Sequence, residues 1–300
     1  MKTFLKNSLA FFIIFFFVEK GCYYFLNQAP KKEYDTRLEQ VLEGKMNKDI
    51  IILGSSRGAD NILAGQIEKE TNNSTYNLSF QGSDVTFQSF VLETLLRFNK
   101  APKIVLLSID DPYLFDGEES LVFRYDRLYP LAKYNYINDV LIAHKKNNIL
   151  SNFFCLSRIN NIDINLKTSK KTSVIPIDNY GSMPLTGQKK GAKLIYDDKI
   201  KGYSKLNENK KKIEAFLKIK QLCNQHNIKL FYVFSPSFCK FNSSFYARFT
   251  LDYQNDNTIL YDSLNPIYKE KEYFYDESHL NIIGATIFTK EISNYINQNK

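Results

Sequence analysis

The sequence predicts an α/β fold: a parallel sheet covered by helices on both faces, an inserted middle section, and an apolar helix ahead of both. Three observations carry this. Short apolar runs alternate with helical periodicity over Asp49–Asp111 and again over Lys229–Asn297. Between them, Pro112–Tyr203 is aromatic-rich and poorly periodic. The first thirty residues hold an apolar stretch broken only near its end.

Lys2 and Lys6 precede an apolar run from Leu9 to Val18; Glu19 and Lys20 interrupt it, and Cys22–Leu26 resumes it. A cleaved signal peptide needs a small-residue cleavage site, and none follows Val18. Glu19, Lys20 and Gly21 are also a poor prelude to a lipidated Cys22. An uncleaved anchor from about Phe4 to Leu26 fits better, because roughly 20 apolar residues cross a bilayer. Lys20 can then snorkel, and Tyr23 and Tyr24 occupy the interfacial belt. Residues 1–28 are therefore expected as a membrane anchor, 29–48 as a linker and 49–300 as the folded domain. Lys2 and Lys6 put the amino end on the cytoplasmic side and the bulk of the chain outside, although Lys31 and Lys32 lie beyond the span.

The remaining elements follow in order. Ile50–Leu53 is wholly apolar, as a buried parallel strand is. "NILAGQIEKE" has helical spacing, Tyr76–Phe80 reads as a second strand, and Phe87–Phe98 as a helix. "KIVLLSID" is a third strand. Beyond the middle section come a helix over Glu208–His226, the strand "IKLFYVFSP", and "YFYDESHLN" running into a C-terminal helix.

Composition narrows the function. The chain has 300 residues and a net charge of +8, with 24% charged and 44% hydrophobic residues. That suffices for a sizeable core. The lysines lie mostly among asparagines and isoleucines, as on a solvated face, which can also sit near anionic lipid or polymer. No phosphate loop, dinucleotide fingerprint or zinc spacing is present, so no cofactor, metal or nucleic-acid partner is expected. Cys22, Cys155, Cys223 and Cys239 show no paired spacing.

Gly54-Ser55-Ser56 ends the first strand abruptly. A serine there is a weak nucleophile without a base and a group to orient that base. The chain has three histidines. His144 and His226 sit in lysine-rich surroundings and read as surface residues. His279 lies in "DESHLN", three residues after Asp276, where the carboxylate can turn back to the ring. Taken alone, either motif is equally a turn or a helix cap.

Together, Gly-x-Ser after the first strand and Asp-x-x-His before the last helix resemble the SGNH/GDSL hydrolase superfamily. The resemblance implies a flavodoxin-like three-layer sandwich, Ser56 as nucleophile, and Asp276 and His279 as its partners. It assigns Gly82, in "NLSFQGSD", and the N–H of Ser56 to the oxyanion, with Asn77 as a further candidate. Arg57 is a candidate substrate-binding residue for an anionic group. There is one departure: Ser108 and Asp110 stand where the family's third block carries Gly and Asn. Behind a membrane anchor, the Gly-Ser-Ser form is similar to proteins of alginate O-acetylation and D-alanyl-teichoic-acid transfer. This implies an extracytoplasmic serine esterase or O-acyltransferase acting on an envelope polysaccharide beside a membrane-bound O-acyltransferase. The alternative is a non-catalytic binding or assembly component of such a machine.

Overall fold

A computed structural model describes residues 1–117, 121–159, 175–191, 193–199, 202–253 and 257–299. Parts of the section 112–203, and residues 254–256 of the stretch before the final loop, therefore lie outside the described residues. The chain divides into two compact units, one of Met1–Glu39 with Arg124–Ser173, the other of Gln40–Phe123 with Val174–Lys300. The section read from sequence as one insertion is thus shared between them.

In the first unit, α1 (Lys2–Gln28) is long and apolar enough to cross a membrane. A short helix, α2 (Arg37–Leu42), begins there; its Arg37 is buried and paired with Asp35 at 2.8 Å. The Asp35 carboxyl lies below its ordinary value: burial raises it, but the Arg37 charge and hydrogen bonds outweigh burial.

The second unit is built on five parallel strands: β1 (Ile50–Leu53), β2 (Thr75–Asn77), β3 (Ile104–Ile109), β4 (Lys229–Phe234) and β5 (Thr258–Leu260). Their order is β2-β1-β3-β4-β5, with Ile51 opposite both Tyr76 and Val105. The order reverses between β1 and β3, the point at which open parallel sheets leave a crevice beyond their carboxyl ends. The helices are α3 (Ser56–Asn61), α4 (Ala64–Thr71), α5 (Val85–Phe98), α7 (Lys210–Gln225), α8 (Ser243–Asp252) and α9 (Ile282–Gln298), while α6 (Asn135–Ala143) belongs to the first unit. Side-chain caps start the long ones: Asp84 accepts from Phe87 N, Asn209 from Lys211 N, and Asn281 from Ile283 N and Gly284 N.

Strand β4 shows how the core is divided. Phe231 and Val233 join a cluster with Phe288 and Ile292 of α9. Tyr232 instead meets Phe216 of α7 at 5.4 Å and Phe249 of α8 at 5.1 Å, and Phe234 meets Phe249 at 5.4 Å. Neighbouring residues of a strand point to opposite faces, so the two clusters follow from its period of two. α5 packs against α7, and α4 against α9.

Candidate active site

The candidate site lies at the carboxyl ends of β1, β2 and β3. Strand β1 stops at Gly54, and Ser55 and Ser56 turn the chain directly into α3. The turn is tight because the neighbouring elements are close. A Cβ on Gly54 would stand 2.7 Å from the Ser108 Cβ, and one on Gly58 would stand 3.1 Å from it. Glycine at both positions, with serine at 108, lets α3 settle against β3.

The two serines have different partners. Ser56 Oγ is 2.7 Å from His279 Nε2, and His279 Nδ1 is 2.7 Å from Asp276 Oδ1. With the ring proton on Nδ1 donated to Asp276, Nε2 is left to accept from the Ser56 hydroxyl. Ser55 Oγ instead donates to Asp110 Oδ1 and accepts from Arg57 N, capping α3. Asp276 also accepts from the N–H groups of Ser278 and His279, each at 3.0 Å. Burial tends to raise its carboxyl. The His279 ring and the Ser278 N–H outweigh that and hold it below the ordinary range.

Helix α3 ties the site together, although it has only six residues. Asp60 accepts two bonds from Gln81 Nε2, at 2.9 and 3.0 Å, fixing the residue before Gly82. Asn61 Oδ1 accepts from Leu280 N at 2.9 Å, fixing the residue after His279. Arg57 Nη1 reaches Asp111 Oδ1 at 2.7 Å, fixing the loop after β3. Asp60, Asn61 and Gln81 were not singled out from sequence. Their only signal there was position, in the turn that follows Ser56 and beside Gly82.

Gly82 has φ +71, a left-handed conformation that favours glycine. Its carbonyl accepts from Val122 N. Among the described residues, neither its N–H nor that of Ser56 has an acceptor. Asn77 differs from its expected role. Its amide donates to the carbonyls of Gly58 at 2.8 Å and Ile62 at 3.0 Å, and its oxygen accepts from Ser79 N. This buried amide is the C-terminal clasp of α3 and has no hydrogen left for an oxyanion.

Asp110 is buried, and among the described residues its Oδ2 has no partner. Burial raises its carboxyl; the Arg57 charge and the Ser55 hydroxyl pull the other way, and it ends at about 6. Asp111 is also raised by burial, despite the opposing charge of Arg57. Among the described residues, no group of three His, Cys, Asp or Glu side chains is placed to hold a metal ion. His144 bonds to the Tyr125 hydroxyl within the first unit.

Neither protein-family models nor characterised proteins match this chain. What the site offers is geometric: a hydroxyl, an imidazole and a carboxylate in relay, and two backbone N–H groups that have no acceptor among the described residues.

Proposed function

We propose that this chain is a membrane-tethered serine acyl-ester enzyme of the SGNH type, working outside the cytoplasm on an acylated envelope polysaccharide. The observation that carries the proposal is the unbroken relay from Ser56 through His279 to Asp276. The order 2-1-3-4-5 and the two-sided core at β4 support the flavodoxin-like three-layer arrangement. The apolar α1, with Lys2 and Lys6 in its first turns, supports anchoring with the domain on the outer side.

In the reaction, the Ser56 Oγ–H proton passes to His279 Nε2 as Oγ bonds to the acyl carbon. Asp276 steadies the imidazolium. The carbonyl oxygen becomes an oxyanion, and the N–H groups of Ser56 and Gly82 donate to it. His279 returns the proton to the leaving alkoxide, giving an acyl-Ser56 intermediate. Water releases a free acid, whereas a sugar hydroxyl gives transfer. In transfer, a membrane-bound O-acyltransferase is the partner that supplies the acyl group.

The test is labelling of the full-length protein in detergent with a fluorophosphonate. Labelling confined to Ser56 and lost in Ser56→Ala is the expected result. An unlabelled Ser56 in folded protein rejects the enzyme and favours the assembly-component reading, to which the carboxyl of Asp110 in place of an amide donor already points.

A further inference from the structure

Beside the triad, a cavity of about 170 Å³ opens between the loops after β3, β4 and β5. Arg57, Glu277 and Ser278, neighbours of the triad residues in sequence, line it. Arg57 is 8% exposed. Its contact with Asp111 uses only Nη1, which bonds both the carboxylate and the carbonyl of that residue. The edge formed by Nε and Nη2 has no partner among the described residues, nor is either nitrogen sealed from solvent. That edge is the fork that grips a carboxylate side-on. Ser235 also lines the cavity, 2% exposed, and its hydroxyl has no partner among the described residues. Phe238, Pro112 and Tyr261 supply apolar walls. The exposed rim carries Lys199 and Lys240 against Asp197 and Glu277, so its charges balance and selection falls to the buried guanidinium.

We propose that this cavity binds a carboxylate carried by the ester substrate, held by the free edge of Arg57 with help from the Ser235 hydroxyl. The proposal rests on the acyl-ester reading above. Two ester pairs locate the carboxylate: 4-nitrophenyl hydrogen succinate against 4-nitrophenyl acetate for the acyl part, and O-acetylglucuronate against O-acetylglucose for the alcohol part. In one pair, kcat/KM for the charged ester should exceed that for the neutral one by tenfold or more. Arg57→Gln should erase the preference, mainly through KM. Ser235→Ala, which leaves the Arg57–Asp111 pair intact, should reduce it a few-fold. Equal turnover within both pairs by protein that labels at Ser56 overturns the proposal and leaves the enzyme reading standing. If Ser56 does not label, calorimetry with glucuronate and succinate decides instead. Heats no larger than those with glucose, or with the Arg57→Gln protein, overturn it.

A separate observation concerns the first unit. Its segment over 149–158 is patterned inside out. Ile149, Leu150, Phe153 and Leu156 are 50–77% exposed, while Ser151 and Asn138 are fully buried. The polar groups are bonded inward: Asn138 Nδ2 to Asn152, Asn147 Nδ2 to Asn138, and Arg158 Nε to the Ser151 carbonyl. The turn Cys155–Arg158 packs against α1, the Phe154 ring meets Phe15 at 5.6 Å, and the Glu19 carboxylate accepts from Leu156 N. An apolar face continuous with a helix of membrane-spanning character, with Asn138, Ser151 and Arg158 bonded inward, suits acyl chains better than water.

We infer that residues 149–156 dip into the same bilayer as α1, as a second, non-spanning membrane contact. The chain has no tryptophan, so a single one placed at Phe153 reports without background. In full-length Phe153→Trp in phosphatidylcholine vesicles, emission should be blue-shifted and quenched by brominated acyl chains. Emission like that of N-acetyltryptophanamide in buffer, quenched by iodide and not by brominated lipid, overturns the inference. Ile149→Trp repeats the test should Phe153→Trp fold poorly.

Discussion

Adjacent serines with adjacent backbones do different jobs because the turn after β1 aims them apart. Ser56→Ala should abolish acyl-ester turnover and fluorophosphonate labelling. Ser55→Ala should keep the labelling but lose roughly 1–2 kcal/mol of stability, since it strips a cap from α3 and a donor from buried Asp110. Labelling and chemical denaturation of both proteins check this. Asp276→Asn should melt close to the parent yet lose turnover by orders of magnitude, because an amide permits the wrong ring tautomer; in serine proteases the equivalent change costs about 10⁴ in kcat. Melting and turnover per folded molecule decide. Asp110 makes a prediction about pH. Its folded carboxyl sits at about 6, above its ordinary 3.8, so the folded state binds the proton more tightly. Its contribution to stability is full below about pH 4 and is lost as pH rises through 6, on the order of 3 kcal/mol. Asp110→Asn should therefore gain on the parent between pH 4.5 and pH 8 in urea unfolding.

At the scale of elements, α3 holds the site by its far end as well as by its first residue. Asn61→Ala removes the acceptor for Leu280 N and loosens the loop that carries His279. We expect kcat to fall tenfold or more with KM nearly unchanged, the pattern of a positioning residue, in steady-state kinetics. The same crowding that fixes α3 makes Gly54→Ala an overpacking change of about 1–3 kcal/mol. Much of this level was legible in the chain. Strands β1, β3 and β4 are apolar runs, and α5, α7 and α9 carry helical periodicity, so their signals are local. Strand β5 and helices α6 and α8 were not read. Three residues of β5 give no periodicity, and the aromatic spacing of α8 is set by the Phe216 and Tyr232 rings it meets. At the site, Ser56, Asp276 and His279 declared themselves by motif. Asn77 misled because an amide near a nucleophile suits an oxyanion and a helix clasp equally, and only the positions of the Gly58 and Ile62 carbonyls separate the two.

For the whole molecule, the proposed anchoring by α1 would place the site outside the cytoplasm. A cysteine placed in the linker at Glu33 should react with a membrane-impermeant maleimide on intact cells, with the protein in the membrane fraction. Recovery of a soluble, shortened protein instead would point to cleavage. The relay also joins the two ends of the folded chain, since Ser56 and His279 are separated by 223 residues. During synthesis Ser56 leaves the ribosome long before His279 exists. A parallel sheet forms slowly because its contacts are non-local. On the proposed mechanism the serine would stay inert throughout biogenesis and become reactive only when the last loop and α9 dock, so that the finished fold would be its own activation step.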